Sequence, residues 1–203
     1  MPFAPYSEPA ANQIYGLLFC DAPNLLVNLG DHYPALFAKA PDEAALRAMA
    51  ENANLEGRIR ALAYGRLREL GKSVEARILL GAVIEVALDA GLDVLGAYCE
   101  GGVRYINATG KISIFEGANH PVSNEARALL AASQNVVNRI GPWDKPRLAP
   151  PSLGRVRMSF IVSDGLYFGE GRMEDLARDQ LGGAVINAAT QLLLAITSLT
   201  QRN

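Results

Sequence analysis

Between Leu92 and Glu116 the chain reads LDVLGAYCEGGVRYINATGKISIFE, three short runs of alternating or β-branched residues parted by two glycine-bearing turns. Runs of this kind bounded by Gly and Asn are strands, and turns this close together leave room for nothing longer. Glu100-Gly101-Gly102-Val103 fits a two-residue hairpin loop, whose central positions favour glycine. Asn107-Ala108-Thr109-Gly110 fits a type I turn closed by a glycine bulge. That register places Leu95, Ala97, Cys99, Ile106, Ile112 and Ile114 on one face, with Arg104 as the odd residue among them. Tyr98, Val103, Tyr105, Ser113 and Phe115 fall on the other. A slip of one residue would exchange faces, so the assignment is a strict test of the turn chemistry.

Upstream, the first seventy or so residues read as helices. Ser7 is placed to cap a helix carrying Ile14, Leu17, Leu18 and Cys20, which stops near Asp21-Ala22-Pro23. A short apolar passage, Leu25 to Leu29, precedes a break at Gly30–Pro34. Pro41 with Asp42 and Glu43 opens a helix to about Asn52, because proline and acids suit a first turn. Leu55 to Leu70 is a charged helix closed by Gly71. Val74 to Ala90 is apolar nearly all round, with Arg77, Glu85 and Asp89 on one narrow line, and reads as a buried pillar helix.

Downstream, Ser123 to Ile140 has helical periodicity, and a proline-rich loop with the only tryptophan, Trp143, follows it. Arg155 to Ser163 alternates Val156, Met158, Phe160 and Val162 against Arg157, Ser159 and Ile161, a strand turned by Asp164-Gly165 into Leu166–Gly169. From Met173 the chain is helical, with a break at Gly182-Gly183. The expected fold is α+β: a helical N-terminal lobe (1–72), then helix–βββ–helix–ββ–helix (73–203) around a five-stranded, mainly antiparallel sheet, the two parts forming one compact unit.

Composition narrows function by exclusion. Nineteen basic and twenty-one acidic residues are intermixed, for a net charge of −2, which leaves no basic face for nucleic acid. Cys20 and Cys99 stand apart in apolar surroundings, as free thiols of a reducing cytoplasm do. The N-terminus has no basic segment leading into an apolar one, so no signal peptide is expected. His32 and His120 lack neighbouring ligands at metal spacing, and no metal or cofactor is expected. Gly169-Glu170-Gly171 is only a fragment of a phosphate-binding turn.

Two sets of residues are candidates for a site. Arg104, Trp143, Asp164, Tyr167 and Glu170 could surround a small molecule: glycines in the 164–171 hairpin permit close approach, and the aromatics could wall a pocket. Glu100, Glu116, Asp164 and Glu170 are acids at strand ends, where solvation is the ordinary state. Tyr98, Tyr105 and Phe115 on the sheet, with Val185, Leu192 and Leu199 on the last helix, could instead meet a partner. That helix has no charge between Asp179 and Arg202 and carries a neutral polar line of Asn187, Thr190, Gln191, Thr197, Ser198 and Gln201. Burial explains its wide apolar face best, a homodimer contact next, and so many amides and hydroxyls argue against a membrane span.

Three phrases, GLDVLGAYCEGGVRYINATGKISIFE, GPWDKPRLAPP and VSDGLYFGEG, occur in this order. In them the chain resembles a group of uncharacterised bacterial proteins, and the resemblance implies no activity, cofactor or site residue. The expected element order is also similar to that of small acidic secretion chaperones, dimers that wrap a client segment. The expectation from sequence is therefore a non-enzymatic binding or protein-interaction protein, a cytoplasmic homodimer. The alternative is a small-molecule-binding enzyme or sensor with its pocket beside Trp143 and the 164–171 hairpin.

Overall fold

The computed structural model describes residues 3–21, 25–26 and 30–200. One open six-stranded sheet, every neighbouring pair antiparallel, runs β4-β3-β2-β1-β5-β6. Its strands are β1 (Leu79–Leu88), β2 (Gly91–Tyr98), β3 (Val103–Ile106), β4 (Ile112–Phe115), β5 (Arg155–Val162) and β6 (Gly165–Arg172). One face packs on the helical lobe of α1 (Pro9–Leu17), α2 (Pro34–Phe37), α3 (Glu43–Glu51) and α4 (Gly57–Glu69), with Tyr15, Leu18, Leu46, Ile59 and Leu67 in a core shared with Val83, Val94, Tyr98 and Ile106. The other carries α5 (Ser123–Val137) and α7 (Gly182–Thr200), which close a second core over Ile84, Leu95, Met158, Phe160 and Tyr167. A short α6 (Met173–Arg178) leads into α7.

The segment expected as a pillar helix is instead the central strand. β1 lies between β2 and β5, buried on both faces. A strand covered on both sides reads as a continuous apolar run, and periodicity cannot separate that from a buried helix. The i, i+4 spacing of Arg77, Glu85 and Asp89 is accidental: Arg77 precedes the strand, Glu85 lies within it, and Asp89 sits in the β1–β2 turn. The order from residue 79 is thus ββββ–α–ββ–αα, and the similarity to secretion chaperones, which needed a helix first, loses its basis.

The first hairpin is three residues out of the expected register, with Ala97 facing Val103 where a Gly101-Gly102 loop would set it against Ile106. Tyr98 pairs with Gly102 through Tyr98 N to Gly102 O (2.9 Å), so the loop is Cys99-Glu100-Gly101, three residues and not two. Gly101 takes φ +101, and a Cβ there would lie 2.7 Å from Ala118 Cα. The slip sends Leu95 and Ala97 to the side of Val103, Tyr105 and Phe115, against α5 and α7, while Tyr98 joins Ile106 and Ile112 beneath the lobe. Tyr98 and Tyr105, expected side by side, are on opposite faces. The second hairpin keeps its expected register: Ile106 faces Ile112, Gly110 has φ +82, and Asn107 Oδ1 accepts from Thr109 N and Lys111 N.

Local signals placed most helices. Asp42 caps α3 through Ala44 N (3.0 Å), and Arg66 and Arg68 sit in the last turn of α4. α1 begins at Pro9 after Glu8 rather than under a Ser7 cap, and α2 adds a turn where only a break was expected. The expected turn at Asp21–Pro23, the passage Leu25–Leu29 and Gln201 fall partly or wholly outside the described residues. Asp179 Oδ1 accepts from Leu181 N and Gly182 N, which starts α7 at the expected break. By length and mean hydropathy (1.4), Gly182–Leu199 is apolar enough to cross a membrane; in this fold Val185, Ala188, Leu192 and Ile196 are consumed in packing. The Asn187, Thr190, Gln191 and Ser198 line is the outward ridge.

Candidate functional site

The first set of candidate residues does not converge. Arg104 is on β3 and Glu170 on β6, four strands apart, about 19 Å at the usual strand spacing. Arg104 is buried under the lobe and fully engaged: Nη1 donates to Val103 O and Phe115 O, and Nη2 pairs with Glu116 (2.7 Å) and approaches Glu56 (3.7 Å). It is scaffold at the sheet edge. Trp143 bridges to Leu166, its N donating to Leu166 O (2.7 Å) and its indole standing edge-on to Phe168 (4.9 Å) on the lobe side of β6. Tyr167 points the other way, into the core beneath α5 and α7, so Trp143 and Tyr167 cannot wall one pocket. Its hydroxyl donates to Asp164 Oδ2, and Asp164 Oδ1 accepts from Arg77 N, which ties down the turn. Gly169-Glu170-Gly171 precedes the short α6 as expected, but it lies inside β6 with all three residues paired to β5, so it forms no phosphate turn.

The second set is also divided. Val185 and Leu192 are wholly inside the core, and Leu199 is partly buried beside it. Tyr98 is enclosed under the lobe, its hydroxyl donating to Leu18 O (2.8 Å), while Tyr105 and Phe115 face the two-helix side. Among the described residues no group of three or more His, Cys, Asp or Glu is placed to hold a metal ion. His120 Nε2 is 2.6 Å from Gly101 O, a tie between the segment leading into α5 and the slipped loop.

Sequence reasoning missed a buried polar row on the lobe face. Glu85, Arg157 and Glu170 stand side by side across β1, β5 and β6. Tyr15 donates to Glu85 Oε1 (2.7 Å), while Glu85 Oε2 has Arg157 Nη1 at 3.9 Å. Arg157 grips Glu170 through Nε (2.8 Å) and Nη2 (2.5 Å) and donates to Ala149 O (2.6 Å) and Leu148 O (3.2 Å). Arg147 stacks on Phe19 (3.9 Å), pairs with Asp21 (2.6 Å) and reaches Tyr15 Oη (3.3 Å). The row therefore clamps the proline-rich segment onto the sheet. One acid amid three apolar residues on each side, Ala82–Leu88, was its only signal in sequence.

Burial pushes the Glu85 carboxyl up from its ordinary 4.5, against the Tyr15 hydrogen bond and the Arg157 and Arg147 charges that pull it down. A folded state that holds the proton more tightly than the unfolded chain has its full benefit below pH 4.5 and loses it as pH rises through the folded value. Glu85→Gln keeps an acceptor for Tyr15 but cannot ionise. Its Tm relative to the parent should therefore climb between acid and neutral pH in a thermal series; a constant difference would refute the assignment.

A strongly apolar recess lies on the other side of the sheet. Ile186, Ala189 and Leu193 of α7 face Ile84 and Val86 of β1, Leu95 of β2 and Tyr105 of β3 across a cleft of about 200 Å³. Leu88 and Met173, both substantially exposed, stand at its rim. Its polar edge is Asp93, whose Oδ1 accepts from Ala108 N (2.6 Å) and whose Oδ2 accepts from Tyr105 Oη (3.0 Å). Of the two sets of site candidates named from sequence, only Tyr105 lines it. The pillar-helix reading hid the β1 wall, and the slipped register hid that Leu95 faces Tyr105. Family models, curated proteins and solved structures give no match to this chain, so its function is read from this geometry alone.

Proposed function

We propose that this chain is a cytoplasmic, non-enzymatic binding protein that holds a small, mainly apolar molecule in the cleft between α7 and strands β1–β3. The observation that carries the reading is a mainly apolar recess with few polar groups, Asp93 and the Tyr105 hydroxyl on one side and Thr190 on α7, the ordinary form of a small-molecule site. Its size suits a compact guest: an engineered apolar cavity of about 150 Å³ takes up benzene. Free Cys20 and Cys99 support the cytoplasmic placement.

A neutral aromatic probe such as indole should raise the melting temperature in a saturable way, since a ligand at a hundred times its Kd adds about 2.7 kcal/mol. Ala189→Phe, which puts a ring where the guest would lie, should abolish the shift. An equal shift in both proteins, or none in the parent, would end the reading. The outward ridge of α7 favours a second element, a homodimer: it carries no charge, and Leu194 on it is 54% exposed. Sedimentation of the parent beside Leu194→Lys decides that element, a monomer in both removing it.

A further inference from the structure

We propose that the guest of this cleft is an amine, an arylalkyl or short alkyl ammonium whose apolar body enters between α7 and β1 and whose charged head meets Asp93. The inference rests on the cleft being the binding site and adds the chemical class of its ligand. Asp93 is the only charged residue of the lining, and none of the ion pairs among the described residues involves it. Glu85 and Glu170 each meet Arg157, whereas Asp164, in the β5–β6 turn away from the cleft, has neutral donors as Asp93 does. Both donors to Asp93, the Ala108 amide and the Tyr105 hydroxyl, are neutral. Burial and Asp93 itself push the Tyr105 hydroxyl up from its ordinary value, so it remains a neutral donor.

An ionised carboxylate has roughly four acceptor positions, and two are used, which leaves two for a donor arriving from the cleft. A cation there gains a charge-assisted hydrogen bond at the edge of an apolar wall, where water competes least. An anionic guest of the same shape would meet an uncompensated like charge. Selection by this site is thus built on attraction for one sign and repulsion of the other.

Three probes of one shape separate the possibilities: 2-phenylethylamine, 2-phenylethanol and phenylacetate, titrated against the full chain by calorimetry or amide chemical shifts. The amine should bind about tenfold more tightly than the alcohol, the margin of a hydrogen bond to a charged group. Phenylacetate should show no binding. Asp93→Asn should bring the amine down to the affinity of the alcohol, and retained alcohol binding shows that the cleft is intact. If Asp93→Asn does not fold, the ranking of the three probes on the parent decides alone. Equal binding of amine and alcohol, or binding of phenylacetate, overturns the ligand class while leaving the cleft as the site. No binding by any of the three overturns both.

Discussion

Arg157→Met should lower the stability of this protein by about 3 kcal/mol, in the range found when one partner of a buried ion pair is removed. The side chain is 5% exposed and serves four groups at once. Glu170 loses two donors of the parent and keeps only Arg155 (2.7 Å). Leu148 O and Ala149 O lose the guanidinium that holds the proline-rich segment against the sheet. Glu85, wholly buried, loses a cation that helped hold its carboxyl down. Methionine fills most of the volume, so the loss is one of charge and hydrogen bonds more than of packing. Arg157→Lys should recover little, because an ammonium cannot span Glu170 and two carbonyls in one plane. Urea unfolding followed by fluorescence of the single Trp143 measures both. A loss under about 1 kcal/mol would show the row to be replaceable, as some buried ion pairs are.

What could be read in the sequence was whatever a local rule decides. Asp42 at the start of α3, Gly110 in the second hairpin and the glycines at the α6–α7 break were local signals, and alternation in Arg155–Val162 gave β5, which the fold buries on both faces. α+β class and an antiparallel sheet followed from these. The largest errors lie where a distant partner decides. β1 resembles a helix until β2 and β5 are placed on either side of it. The loop Cys99–Gly101 gains its third residue because Cys99 N is drawn to Leu80 O on β1 (3.0 Å) and Gly101 packs against Ala118, neither of which a turn rule contains.

The candidate sites suffered from the same cause. Turn chemistry placed Asp164 correctly in a turn, but it put Glu170, which lies inside β6 and pairs with Arg155 and Arg157, at a strand end. Nor could it show that Trp143 and Tyr167 lie on opposite sides of β6. The buried row and the cleft both depend on β1, so a single wrong element concealed both. Glu85 inside an apolar run was the available warning: a charge at that position requires a partner on a neighbouring strand, and Arg157 alternating with apolar residues is the sort of residue to supply it.

Gly57→Ala should destabilise the protein by about 3 kcal/mol, although the same substitution inside an ordinary helix adds about 1 kcal/mol. Gly57 is the first residue of α4 and has no positive φ, so its conformation does not demand glycine. Space does. A Cβ on Gly57 would stand 2.4 Å from Leu80 O, 3.0 Å from Cys99 Sγ and 3.0 Å from Glu100 Oε2. Leu80 O is backbone of the central strand and already holds Cys99 N, so it cannot retreat without disturbing the β1–β2 edge. Glu56, in the N-cap position, makes no side-chain cap; Glu100 reaches across from the β2–β3 loop to accept from Gly57 N (2.7 Å), with a carboxyl that burial pushes up. Moving α4 away to seat a methyl group would break that bond as well. Gly65, two turns later in the same helix, provides the control: the nearest atom to its Cβ would be the mobile end of Arg68 at 3.9 Å. Gly65→Ala should therefore stabilise by about 0.5–1 kcal/mol on helix propensity alone. Opposite signs for two Gly→Ala changes in one helix, measured by urea unfolding, would locate the constraint in the contact between α4 and the central strand. Equal signs would mean that the lobe does not sit on β1 as closely as the Gly57 approach requires.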